Sequence, residues 1–84
     1  MDPHEVAELI RAGLPGSQVH VQSPDGTHFE ARVVAAQFTG KRAIARHQLV
    51  YRTLGARVGR EIHALSIEAL TPQEVEDRGG AAGG

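Results

Sequence analysis

Apolar residues recur along this chain in two rhythms. Val6, Leu9 and Ile10 fall at helical spacing behind Asp2-Pro3, a carboxylate able to cap and a proline suited to the first turn. Gly13, Pro15 and Gly16 stop that segment. The rhythm then becomes alternation. Val19 and Val21 alternate with Gln18, His20 and Gln22, and past Pro24-Asp25-Gly26 the positions Phe29, Ala31, Val33 and Ala35 alternate with His28, Glu30, Arg32 and Val34. Two alternating runs around a Gly-bearing turn predict a hairpin. Pairing Val21 with Phe29, Val19 with Ala31, His20 with Glu30 and Gln22 with His28 leaves a loop of 24–26, with Gly26 at the left-handed position. One face is then apolar and the other polar, because residues that oppose each other share a face.

Residues 42–58 return to the helical period. Ala43, His47, Val50, Tyr51, Leu54 and Val58 fall in one arc, with Arg42, Arg46 and Arg57 opposite and Arg52 flanking them. Leu49 intrudes on the basic side, and Gly55 is a point where the helix can divide. From Glu61 to Ala69 alternation resumes, with Leu65, Ile67 and Ala69 on the parity of His63 and with Ser66 and Glu68 facing away. Thr71-Pro72-Gln73-Glu74 is a capping box that opens a short last helix. The order helix, strand, strand, helix (divisible in two), strand, helix predicts a small two-layer α+β domain over 1–78, a three-stranded sheet packed on helices. The GGAAGG run at 79–84 has nothing to bury and reads as a disordered tail.

Composition narrows the function classes. A chain of 84 residues has one compact core to rely on, and it contains no cysteine. That excludes a disulfide framework, a Cys-type zinc site, a thiol nucleophile and an iron–sulfur cluster held alone. The longest apolar run, Val33-Val34-Ala35-Ala36, is far shorter than the roughly 20 residues of a spanning helix. No membrane role follows, and a cytoplasmic protein is the expectation. No nucleophile and base converge in any known catalytic motif, so an enzyme is not expected. Gly13-Leu14-Pro15-Gly16 has the GxxG form, yet it links a helix to a strand rather than two helices, where KH domains clamp nucleotides.

Net charge is −1, but the charges are segregated. Between Ala31 and Arg60 there is no acid, while Arg32, Lys41, Arg42, Arg46, Arg52, Arg57 and Arg60 all lie there. A basic helix face on a neutral protein can serve nucleic acid or simply solvation. Five histidines carry the remaining chemistry. His4 lies in the first helical turn. His47 reads as a buried, hydrogen-bonded histidine. His20 faces Glu30 in the expected register, His28 follows the turn, and His63 starts the third strand. Their spacing matches no closed zinc pattern.

Several runs resemble the BolA family. They are Phe38-Thr39-Gly40-Lys41, Arg46-His47-Gln48-Leu49-Val50-Tyr51, Ile62-His63-Ala64-Leu65-Ser66-Ile67 and Thr71-Pro72-Gln73-Glu74. The short hairpin Asp25-Gly26-Thr27-His28-Phe29 is most similar to the IbaG branch, and the likeness covers about residues 3–77. The resemblance implies a class II KH-like fold. It also implies a heterodimer with a monothiol glutaredoxin in iron–sulfur trafficking or in iron and stress regulation. The two proteins share a [2Fe-2S] cluster: glutaredoxin and glutathione supply sulfur, and the BolA-like protein supplies histidine. The isolated chain, a monomer or weak homodimer, binds none. The ligand carried over is His63 in Ile62-His63-Ala64. The second is left between His28 and His20, because longer members place a His or Cys in an extended loop where this sequence has Pro24-Asp25-Gly26. The resemblance assigns Arg46-His47 to structure or nucleic-acid contact. Members described as transcriptional regulators supply the alternative: DNA binding through Lys41, Arg42, Arg46, Arg52 and Arg57.

Overall fold

The first and last helices each begin where side chains satisfy free backbone donors. In the computed structural model, which describes residues 1–79, the Asp2 side chain accepts the His4 N–H and Glu5 reaches back to the Asp2 N–H. This capping box starts α1, Pro3–Gly13, which buries Val6, Ala7 and Ile10. Gly13 lets α1 approach the next helix closely, since a Cβ there would lie 2.5 Å from Thr53 Cγ2. The tail expected over 79–84 lies outside the described residues apart from Gly79.

The hairpin forms from β1, Gln18–Gln22, and β2, His28–Val34. Its register differs from the expected one by two residues. Val21 pairs with Ala31, Val19 with Val33, His20 with Arg32 and Gln22 with Glu30. The loop is therefore Ser23–Thr27 rather than 24–26. Side chains cause the shift. Ser23 Oγ accepts the Gly26 N–H at 2.9 Å, and Asp25 Oδ1 accepts those of Thr27 and His28, both at 2.9 Å. These groups satisfy backbone donors that a tighter hairpin would place in its ladder. A two-residue shift preserves parity, so the apolar and polar faces remain as read.

Helix α2, Ala43–Leu54, ends at Gly55 (φ +58°), and a 3-10 turn follows over Gly55–Arg57. The divided helix is as expected, but its orientation is not. Val50 and Leu54 are buried and Leu49 packs against the core, while Ala43, Ile44 and Tyr51 are exposed. His47 is half-buried rather than buried. Arg46, read as part of the solvated face, turns inward and leaves 13% of its side chain exposed. The helix rolls toward Leu49 because Arg46 finds partners there, and its apolar stem can be covered like that of any long amphipathic side chain.

Strand β3, Ala64–Leu70, pairs in parallel with β2, giving the order β1-β2-β3 with β2 central. Strand pairing starts three residues later than the alternation suggests, because buried Ile62 is tied into the preceding loop through Arg57 O and Gly59 N–H. The helices cover the face bearing Phe29, Ala31 and Val33. The core joins these residues to Val6, Ile10, Leu14, Phe38, Val50, Leu54 and Ile62. A second capping box, with Thr71 Oγ1 accepting the Glu74 N–H, opens α3, Pro72–Asp77. The architecture is the two-layer α+β domain expected.

Candidate metal centre

Parallel pairing of β2 and β3 brings two histidines to one end of the sheet. His28 is the first residue of β2 and pairs with Ala64, and His63 immediately precedes Ala64. The His63 N–H donates to Thr27 O at 3.0 Å. The two backbones thus run side by side, with the histidines one residue out of register, and both side chains are exposed.

His20 is elsewhere. It lies on the open sheet face opposite Arg32, whose Nε is 3.1 Å from Glu68 Oε1, and Glu68 also meets Arg78 at 3.4 Å. Arg32 is four residues beyond His28 along β2, roughly 13 Å at strand rise. Of the two candidates for a second ligand, only His28 adjoins His63. The expected His20–Glu30 pair does not form, as a result of the shifted register.

The turn before β2 orients His28. Asp25 Oδ2 lies 2.6 Å from His28 Nδ1, and Oδ1 also accepts the Thr27 hydroxyl at 3.1 Å. Donation by the backbone N–H groups of His28 and Thr27, joined by the His28 ring, holds the Asp25 carboxyl well below the usual carboxylate range. An ionised carboxylate only accepts hydrogen bonds, so Nδ1 is the donor and Nε2 is left bare when the ring is neutral. Sequence reasoning passed over Asp25. The signal was its spacing, an Asp three residues before a His across Gly-Thr.

Among the described residues no group of three or more His, Asp or Glu is poised to hold a metal ion. Two imidazoles and no thiol make a partial donor set. It fits a cluster whose remaining ligands come from another molecule, as in centres where histidine replaces cysteine at one iron.

The basic set divides. Lys41, Arg42, Arg52 and Arg57 are exposed. Arg46 does not join them: it donates to Lys41 O at 2.8 Å, to Ala69 O at 3.0 Å and to Glu74 Oε1 at 2.6 Å, and it stands 6.0 Å over the Phe38 ring. Bonds from Arg46 and from the Thr71 N–H lower the Glu74 carboxyl to about 2. Arg46 is a clamp between α2, β3 and α3. No described helix is long and apolar enough to cross a membrane.

A family model described as BolA-like protein matches residues 14–74. The chain is 36% identical over 75 residues to acid stress protein IbaG of Escherichia coli (strain K12), covering 88% of each chain. It is likewise 36% identical over 75 residues to an uncharacterized protein from the rpoN-murA intergenic region of Acinetobacter guillouiae, covering 88% of this chain and 89% of that one. The solved structure of a BolA protein homologue from Coxiella burnetii superposes with a TM-score of 0.81 at 42% identity, covering 90% of this chain and 97% of that one. With the model matched across most of the domain and relatives aligned nearly end to end, the chain belongs to the BolA-like family.

Proposed function

We propose that this protein supplies histidine ligands to a [2Fe-2S] cluster shared with a monothiol glutaredoxin and its glutathione, as an accessory in iron–sulfur trafficking or iron and stress regulation. One observation carries the reading. His63, the ligand implied by the Ile62-His63-Ala64 motif, shares its end of the sheet with a second exposed histidine, His28. The chain has no cysteine, so its partner must supply the thiolates. Imidazole in place of thiolate raises a cluster's potential and titrates near neutrality, which suits a ligand meant to release.

Reconstitution with a monothiol glutaredoxin, iron, sulfide and glutathione tests this through the visible absorption and circular dichroism of the complex. His63→Ala removes or strongly alters the signal, His28→Ala weakens its retention, and His20→Ala leaves it as in the wild type. An unchanged spectrum and lifetime for His63→Ala overturns the ligand assignment. Regulation through DNA has less support in this chain, because Arg46 is spent on Glu74 and the net charge is −1.

A further inference from the structure

Asp25 meets His28 in a way that no packing need explains. Both side chains lie on the surface, and the turn is already held by the bonds from Asp25 Oδ1 to the Thr27 and His28 N–H groups. The second oxygen, Oδ2, is free for another use and is 2.6 Å from His28 Nδ1. We propose that Asp25 is a positioning residue for the ligand site: by accepting the Nδ1 proton it fixes the neutral His28 ring in the tautomer whose bare Nε2 faces solvent as the donor atom. This rests on the reading of His28 as a ligand. It adds which nitrogen binds, and which residue selects that nitrogen.

The chemistry is that of a carboxylate behind a metal-binding imidazole. A hydrogen bond at one ring nitrogen settles the tautomer, restricts rotation about χ2, and makes the opposite nitrogen a better donor. Asp25 is itself held in place by hydrogen bonds. Thr27 contributes both its N–H and its hydroxyl to Oδ1, and Ser23 closes the turn from the other side by accepting the Gly26 N–H. A tight five-residue turn can therefore do with one oriented histidine what an extended loop does by reaching outward. His20 is the internal contrast, exposed on the same sheet face and with no side-chain partner among the described residues.

Asp25→Asn separates orientation from fold. The amide keeps an oxygen for the Thr27 and His28 N–H groups, but it offers an NH2 where Oδ2 stood. That group only donates, so Nδ1 must accept and the proton moves to Nε2. Nitrogen-15 NMR of the metal-free protein, above the ordinary imidazole titration range, reads this directly. In the wild type His28 shows a protonated Nδ1 and a bare Nε2. In Asp25→Asn the two shifts exchange roles, while His20 does not change. In the glutaredoxin complex the same substitution costs roughly 10–100-fold in cluster retention.

A wild-type proton on Nε2, or an unchanged tautomer in Asp25→Asn, overturns the proposal whatever the cluster does. A tautomer that switches as expected, beside a His28→Ala complex as durable as the wild type, removes His28 from the ligand set and overturns the positioning role. Failure of the cluster reading itself appears separately, as an unaltered His63→Ala complex.

Discussion

Asp25 and Glu74 sit in similar settings at opposite ends of the sheet. Each carboxylate accepts backbone N–H donation from within three residues, Asp25 from two groups in a turn and Glu74 from one in a capping box, and each also meets one basic side chain. The partners make the difference. Arg46 is always charged, carries only donors, and is nearly covered by α2, β3 and α3. His28 is exposed, can lose its charge, and has a second nitrogen with a lone pair. One local device therefore makes a clamp when it holds a guanidinium and an oriented ring when it holds an imidazole.

The largest effect that breaks this comparison comes from the clamp. Arg46→Ala leaves the Lys41 and Ala69 carbonyls unpaired and uncovers Phe38, at a cost of about 2–3 kcal/mol, or roughly 10–20 °C in thermal midpoint for a domain of this size. Scanning calorimetry measures it, and a midpoint within a few degrees of the wild type would show that Arg46 is only a surface charge.

Acid gives the next effect. Both carboxyls are depressed in the folded state, so each contributes stability above its unfolded value; the Glu74 contribution is lost as pH falls from near 4.5 through about 2, and that of Asp25, held lower still, persists further into acid. Glu74→Gln flattens the dependence of the thermal midpoint on pH over that window and leaves Asp25 to account for the slope that remains.

Smaller still is Asp25→Asn, which shifts the midpoint by about 5 °C or less while exchanging the ring protons of His28. The smallest change is His28→Ala, within about 0.5 kcal/mol in stability by urea titration. A large loss of stability in either variant would make the hairpin turn a second clamp and erase the distinction.

These contrasts also show what the sequence could reveal. Parity assigned the faces of β1, β2 and β3 through Ala69, because burial of alternate residues is written directly in the pattern, but it failed just before β3, where Ile62 is buried and His63 exposed. It could not detect a two-residue slip, since that slip moves no side chain to the other face; only the bonds of Ser23 and Asp25 set the register. The roll of α2 was missed because counting Arg as polar ignores a stem that covers Phe38 and a head that three acceptors can satisfy. The site was half legible. His63 was named through family resemblance, but which of His28 and His20 lies beside it needed the strand order, which depends on contacts far apart in the chain.

That separation has a consequence for how the protein folds. The Asp25–His28 contact closes within three residues, whereas His63 reaches Thr27 only after the whole α2 crossover has formed. Closing the longer loop costs more entropy and is the slower kind of event. The nascent hairpin can therefore orient His28 before His63 arrives. In pulse-labelled hydrogen exchange the His63 amide should gain protection with the global transition and the His28 amide ahead of it; simultaneous protection would mean that the turn has no order of its own.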